Sequence, residues 1–305
     1  MAVSTKLIKG RIKSISNTKK ITKAMELVSG AKMRKAVNSV LSTRPYSAMS
    51  WDMVVELAKR TDPNDHPLLR ISEKKENILL IALFSDRGLC GGFNSQLLRK
   101  LRIFENLHST KVAKVDVIAV GKKGINAFRR SGMNIIAAFE GISNNTKWSE
   151  IRPIAKMAIN EFISEKYDQV IIGYTDFRST IVQNPRTRIL LPVNPGIIAD
   201  ELGAIGISEP KKEFPAQWEK YEFQFEPNAN DVLEEMLPRL VETQVFQAVL
   251  ESSASEQSAR MMAMRSASDA ARDMINDLQL TFNQARQASI TNEVAEITSG
   301  KAALE

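Results

Sequence analysis

The chain has 305 residues, of which 43% are hydrophobic and 25% are charged, and its formal net charge is +7. This balance is typical of a folded globular protein, and the longest apolar run, residues 78–84, is far too short to span a bilayer. A single cysteine, Cys90, excludes an intrachain disulfide, and two histidines leave little material for a histidine-based metal site. The length predicts two domains or one elaborated domain.

The first predicted element is a long, basic helix at the N-terminus. Residues 1–44 contain eleven Lys or Arg and a single acid, and residues 11–44 contain no proline and one glycine, Gly30. Its inner face is predicted from two apolar groups with helical spacing, separated by a slip: Ile8, Ile12 and Ile15, then Ile21, Met25 and Val28. The basic charge would suit nucleic-acid binding or a mitochondrial presequence. The segment lacks interleaved aromatic residues, so stacking on nucleic-acid bases gains no support. We therefore favour a helix that faces acidic partners.

The middle of the chain alternates between apolar segments and segments with helical character. Strands are predicted at 78–84, 115–120, 134–139 and 169–174, with a further edge strand within 180–191 that Pro185 interrupts. Helices are predicted between them, at 95–107, 122–130 and 149–165. This alternation indicates an α/β fold with a mostly parallel sheet. Residues 192–227 contain five prolines and are predicted to form a return loop.

The last predicted element is a second long helix, of opposite charge. Residues 230–305 carry a net charge of −6, and residues 239–299 contain neither Gly nor Pro. A near-heptad apolar seam follows Met264, Ala267, Ala271, Met274, Leu278, Phe282 and Ala285. Because so long a helix needs a partner along its length, the two terminal helices are predicted to form an antiparallel coiled coil. The Ser- and Ala-rich stretch 252–259 would allow either close packing or a weakly held region.

The segment SDRGLCGGFN, residues 85–94, follows the first strand and precedes a helix, where α/β proteins place phosphate-binding loops. Neither GxGxxG nor GxxxxGK[ST] occurs in the chain, and Gly88, Gly91 and Gly92 equally suit a tight structural turn. Cys90 has no histidine nearby in the sequence to activate it, which favours a small packed residue. A structural turn is therefore preferred. A phosphate-binding enzyme with a coiled-coil dimerisation arm is the open alternative.

Three segments together carry a family resemblance: residues 17–36 (NTKKITKAMELVSGAKMRKA), residues 85–94, and residues 259–300 with ARMMAMRSASD and LQLTFNQARQASITNEVAEITSG. In this order and spacing, the chain resembles the gamma subunit of F-type ATP synthase over essentially its whole length. Two departures occur. Asp269 is followed by Ala270 and Ala271 where the family commonly has Asn and a small residue, and Lys301 follows Gly300 in place of Ala.

The resemblance implies a non-catalytic rotor without a cofactor or metal. Its coiled coil would enter a ring of three alpha and three beta subunits, and its Rossmann-like α/β domain would form a foot that meets the epsilon subunit and the membrane c-ring. Proton flow would turn the c-ring and this chain together. The asymmetric shaft would then drive the beta subunits through ATP synthesis or hydrolysis, and the Ser-rich stretch 252–259 would suit a sliding surface. Plant-type members carry a two-cysteine switch, which a chain without a cysteine beyond Cys90 lacks.

The resemblance also implies contact residues, segments and a location. Residues that match the family's coupling contacts are Lys23, Met25, Arg260, Arg286, Gln287, Thr291, Glu293 and Glu296. The expected segments are an N-terminal shaft helix at 1–60, the foot at 75–195, a return loop at 196–228 and a C-terminal shaft helix at 229–305. We expect a peripheral protein on the cytoplasmic side of a bacterial inner membrane, since no extension precedes the first family segment. We expect neither insertion into the membrane nor a nucleic-acid partner. A nucleic-acid clamp remains a third hypothesis, and it predicts salt-dependent duplex binding.

Overall fold

The structure is a computed structural model that describes residues 5–58, 66–72, 76–108, 114–142, 146–193, 226 and 228–302. The chain divides into two compact units, the first formed by residues 1–30 and 260–305 and the second by residues 31–259. The helices are α1 (Thr5–Ala58), α2 (Phe93–His108), α3 (Lys122–Ser131), α4 (Trp148–Ile163) and α5 (Ala229–Ala302), with a short 3₁₀ turn at Pro67–Leu69. The strands are β1 (Asn77–Leu83), β2 (Lys114–Val120), β3 (Asn134–Phe139), β4 (Gln169–Phe177) and β5 (Gln183–Leu191).

The second unit contains a five-stranded sheet in the order β3-β2-β1-β4-β5. The first four strands are parallel, and β5 pairs with β4 in the antiparallel direction at one edge, which confirms the predicted α/β class. Alternate residues of β1 enter two separate cores: Leu79, Ile81 and Leu83 pack with α4 and the start of α5, and Ile78 and Leu80 pack with α2 and α3. Burial of both faces explains why β1 is a continuous apolar run.

The first unit consists of the beginning of α1 and the end of α5. Thr22 Oγ1 and Ser268 Oγ lie 2.7 Å apart and link the two helices across a buried seam. In the second unit Thr43 Oγ1 donates to Gln247 Oε1 at 2.7 Å. A later residue of α1 thus meets an earlier residue of α5, as antiparallel helices require. The predicted pairing of the terminal helices is therefore present in the structure.

The buried seam of the first unit differs from the predicted apolar pattern on both helices. Ile21 and Val28, predicted for the inner face, are 62% and 56% exposed, whereas Thr22 and Ser29 are buried. Met274 of the predicted α5 seam is also exposed. The residues of α1 that are shielded from solvent recur every seven residues, at positions 8, 15, 22 and 29. Positions 22 and 29 each lie one residue after a member of the second apolar group, Ile21 and Val28. Small polar residues therefore take positions that hydrophobicity alone assigns to Ile and Val.

Both long helices contain an internal proline. Pro45 lies within α1 and Pro238 within α5. A proline inside a helix removes one hydrogen bond and costs about 3 kcal/mol. Around Pro238, the fully buried side chains of Leu233, Leu237 and Leu240 offset that loss. The predicted return loop, 196–228, lies outside the described residues except for positions 226 and 228.

Asp116 of β2 is a buried carboxylate within a network of donors. Its Oδ2 accepts a hydrogen bond from Tyr167 Oη at 2.7 Å and lies 2.7 Å from Lys114 Nζ, and its Oδ1 accepts from Asn134 Nδ2 at 2.9 Å. Burial by itself would raise the pKa of Asp116, but these three donors outweigh it and hold the pKa below its usual value. The charged carboxylate therefore stabilises the fold above about pH 4, and this contribution is lost as the pH falls through the folded-state pKa.

We expect Asp116→Asn to lower the free energy of unfolding by about 1–3 kcal/mol at pH 7, because a buried donor loses its charged acceptor. The difference from the wild type should shrink as the pH falls below about 4, where the wild-type carboxylate takes up a proton. Urea unfolding of the full chain at pH 7 and pH 3 measures both values. The exposed Asp277→Asn is the control. A difference that stays constant with pH would contradict the assignment.

Candidate subunit-contact surface

Five of the predicted contact residues lie on the end of α5. Every residue from 286 to 299 is exposed, including Arg286, Gln287, Thr291, Glu293 and Glu296. Their hydrogen bonds stay within the helix: Thr291 Oγ1 donates to the Gln287 carbonyl oxygen at 2.9 Å, and Ser289 Oγ donates to Glu293 Oε1 at 3.2 Å. These polar side chains therefore face solvent and are accessible to a partner.

The same stretch carries an apolar stripe that was not among the predicted contact residues. Ile290, Val294 and Ile297 are 52%, 57% and 73% exposed, and their spacing of four and three residues places them on one side of the helix. We call these three residues the terminal stripe. A row of large exposed aliphatic side chains on a helix marks a surface that a partner covers. Its signal in the sequence is a spacing of four and three residues that begins at Ile290, five residues after Ala285.

On α1 the two predicted contact residues lie beside further exposed apolar side chains. Lys23 is exposed, and its Nζ lies 3.0 Å from Glu26 Oε2, while Met25 is half-buried. Ile21 and Val28 lie four residues before and three residues after Met25, so the three share one side of the helix. The outward face of α1 thus combines aliphatic groups with lysines, which suits a partner that offers both apolar and acidic groups.

Arg260 and the Ser-rich stretch differ from the expectation. Arg260 is only 6% exposed, so it offers little surface to another chain, and its contact role stays a prediction. Residues 252–258 are all buried and Ala259 is half-buried. The expectation of a sliding surface at 252–259 is therefore wrong, because these residues are enclosed by the chain itself. Close packing, one of the two structural interpretations of this stretch, is what occurs.

The Gly-rich turn at residues 85–94 is closed by its own side chains. Asn94 Oδ1 accepts from the Ser85 amide at 3.1 Å, and Asn94 Nδ2 donates to Ser85 Oγ at 2.7 Å and to Cys90 Sγ at 3.2 Å. Cys90 is buried among these groups, Gly88, Gly91 and Gly92 lie along the turn, and Gly91 has a φ of 55°. The turn thus uses its polar groups internally.

Asp86 of the same turn binds backbone amides outside the turn, at the start of α3 and at Gly141. Its Oδ1 accepts from the Lys122 amide, the first residue of α3, at 3.2 Å, and its Oδ2 accepts from the Gly141 amide at 3.1 Å. A helix N-terminus attracts phosphate through such amides, and a carboxylate already bound to them repels a second anion. This arrangement disfavours phosphate binding at the start of α3.

Within the described ranges, no helix has the length and hydropathy of a membrane span. The same residues contain no cluster of three or more His, Cys, Asp or Glu side chains arranged to hold a metal ion.

Comparison with known proteins matches residues 4–304 to the family described as ATP synthase. The ATP synthase gamma chain of Herpetosiphon aurantiacus is 41% identical over 308 residues, with 99% of each chain covered. That of Pelotomaculum thermopropionicum is 41% identical over 298 residues, with 98% of each covered. The chain belongs to the ATP synthase gamma chain family.

Solved structures similar to this gamma-family chain share its fold. A chain of the Tetrahymena thermophila mitochondrial ATP synthase, described as central stalk and c-ring, aligns with a TM-score of 0.58 at 24% identity and covers 81% of this chain and 99% of that one. A chain of the Euglena gracilis mitochondrial ATP synthase, described as OSCP, F1 and c-ring, aligns with a TM-score of 0.67 at 22% identity and covers 98% of this chain and 94% of that one. The paired terminal helices and α/β sheet are thus a known fold.

Proposed function

We propose that this gamma-family chain is the central-stalk rotor subunit of a bacterial F-type ATP synthase. It turns inside a ring of three alpha and three beta subunits and couples proton flow to ATP synthesis or hydrolysis without performing bond chemistry. The observation that carries the proposal is the fully exposed helix from residue 286 to 299 with its terminal stripe. A single helix of this kind is marginal in water, and a surrounding ring supplies the cover that its apolar side requires.

The charges of α1 supply the second part of the mechanism. The lysines beside Ile21 and Val28 face acidic loops of the beta subunits, and exposed ion pairs of this kind contribute about 0.2–1 kcal/mol each. Such weak contacts do not lock the shaft. They favour one beta conformation over another as the shaft turns, since only differential affinity moves a conformational equilibrium. Lys23, Met25, Arg260, Arg286, Gln287, Thr291, Glu293 and Glu296 are proposed to provide these contacts.

The remaining partners follow from the division of the chain. Residues 1–60 and 229–305 form the shaft helices, residues 75–195 form the foot that meets the epsilon subunit and the c-ring, and residues 196–228 connect them. Related chains in the Tetrahymena and Euglena assemblies are described together with a c-ring. The protein is peripheral to the membrane, and we place it on the cytoplasmic side of the inner membrane.

Co-expression with the alpha and beta chains of the same organism tests the proposal. We expect a complex of three alpha, three beta and one copy of this chain, measured by mass after size exclusion. The purified chain alone should neither hydrolyse ATP nor bind it tightly. Turnover of ATP by the isolated chain, or no complex with alpha and beta, would overturn the proposal.

Two binding measurements examine the other functions. Nucleotide affinity that is lost in Gly91→Val would favour the phosphate-binding enzyme, and calorimetry without heat of binding would dispose of it. Strongly salt-dependent duplex binding would favour the nucleic-acid clamp. A flat gel-shift series at low salt would end that hypothesis.

A further inference from the structure

Part of α5 is buried on every side although its sequence is polar. Residues 248–258 are all buried, and the last eight of them, Glu251 to Ser258, read ESSASEQS with Ala254 as the one aliphatic residue. We call residues 251–258 the serine segment. A helix that is enclosed on all sides is ordinarily hydrophobic all round. The composition of the serine segment therefore requires another explanation than burial of apolar surface.

The serine segment is tied to the backbone at the end of β4. Ser255 Oγ donates to the Thr175 carbonyl oxygen at 3.1 Å, and Ser258 Oγ donates to the Thr180 carbonyl oxygen at 2.7 Å. Gln183 Nε2 at the start of β5 lies 3.4 Å from Ser258 Oγ. Both serines are fully buried, and their partners are backbone atoms that the sheet and the β4–β5 connection hold in place.

The adjoining turns of α5 are bound by two other helices. Glu242 Oε1 lies 3.1 Å from Arg152 Nε of α4, and Gln247 accepts from Thr43 of α1 at 2.7 Å and donates to Glu251 Oε1 at 3.0 Å. At 100° per residue, Glu242 lies on the side of the helix opposite Ser255 and Ser258. The helix is therefore held by polar contacts from two sides.

Charged groups line the same part of the sheet. Asp176 of β4 is fully buried, and its Oδ2 lies 2.8 Å from Arg178 Nε and 3.3 Å from Arg186 Nε. Burial, and next the Glu251 carboxylate, raise the pKa of the neighbouring Tyr174. Glu251 of α5 thus lies near Tyr174 of β4, so the serine segment meets the β4–β5 pair with charged as well as hydroxyl groups.

We propose that the serine segment is the joint through which the α/β domain grips α5 and passes rotation to it. The proposal rests on the rotor function given above. The start of α5 also packs into the apolar core of the domain, but apolar contacts are non-directional. Hydrogen bonds from serine hydroxyls to fixed carbonyls are directional and define one rotational setting.

The test compares two pairs of serines in the assembled, membrane-bound complex. Ser255→Ala with Ser258→Ala removes the bonds to the β4 end, and Ser131→Ala with Ser164→Ala is the matched control. Ser131 and Ser164 are exposed, at the C-terminal ends of α3 and α4, and each donates to the carbonyl three residues back at 3.0 Å. Inverted vesicles report protons pumped by fluorescence quenching and ATP hydrolysed by phosphate release.

We expect the joint variant to assemble and hydrolyse ATP, while protons pumped per ATP fall about twofold or more. The control pair should keep the wild-type ratio, and Ser258→Thr, which retains the hydroxyl, should restore most of the loss caused by Ser258→Ala. An unchanged ratio of protons pumped to ATP hydrolysed would overturn the proposed joint. This includes the case in which the pumping rate and the hydrolysis rate fall in proportion. Failure of the wild-type chain itself to assemble would instead refute the rotor function.

Discussion

Gly121→Ala is expected to destabilise the α/β domain by more than about 4 kcal/mol, which approaches the whole stability of a marginally stable domain. Gly121 has a φ of 89°, and a Cβ at this position would lie 2.1 Å from the Phe84 carbonyl oxygen and 2.7 Å from its carbon. Backbone hydrogen bonds prevent relaxation, because Phe84 N donates to Val120 O and Gly121 N donates to Phe139 O, both at 2.8 Å. The turn after β2 therefore requires glycine for both conformation and space.

Gly132→Ala is the matched control for this substitution. Gly132 also has a positive φ, 73°, at the end of α3, but a Cβ there would meet no atom within 4 Å. Only the conformational cost remains, about 1–2 kcal/mol. Urea unfolding of both variants of the full chain, followed by circular dichroism, compares the two losses. Equal losses would show that the close approach of Phe84 contributes nothing.

Replacing the terminal stripe with serine (Ile290→Ser, Val294→Ser and Ile297→Ser) is expected to cut the yield of the complex with alpha and beta chains at least about tenfold. Each aliphatic side chain contributes about 1.5–3 kcal/mol when a partner buries it fully. The free chain should change by no more than about 0.5 kcal/mol, because all three side chains are exposed in it. Size exclusion of the co-expressed complex and urea unfolding of the free chain separate the two effects.

The control for the terminal stripe lies on the opposite side of the same helix. Ala288→Ser, Asn292→Ser and Ala295→Ser introduce the same number of serines at exposed positions, about half a turn away. This variant should assemble like the wild type. Equal losses in the two triple variants would indicate a general effect on the helix rather than coverage of the apolar side.

The central strands β1, β2 and β4 could be predicted from the sequence because they are buried on both faces over most of their length. β3 matches its predicted span, 134–139, and β1 and β2 begin within one residue of theirs. Such segments read as short continuous apolar runs between helical stretches, so local composition identifies them. The edge strand that contains Pro185 was also foreseeable, because proline inside a sheet is confined to edges.

The contacts that set the helix seams could not be predicted in the same way. Thr22 and Ser29 occupy buried positions because the seven-residue interval passes through them, although Ile21 and Val28 are the more hydrophobic choice. Ser255 and Ser258 are buried because their hydroxyl groups donate hydrogen bonds to backbone carbonyl oxygens. Those carbonyl groups belong to residues about 80 positions earlier in the chain. Hydropathy records whether a side chain prefers water, and it contains no information about a partner that distant.

The carboxylate of Asp86 has a consequence for what the start of α3 can bind. In other α/β proteins, the first amides of a helix that follows a parallel strand capture phosphate groups. Here the chain carries its own permanent occupant, an acid anchored to the amides of Lys122 and Gly141. The occupant is covalently part of the chain, so dilution does not remove it and a free anion has to compete with an intramolecular contact. The start of α3 therefore presents an incoming phosphate with a negative charge rather than with open amides.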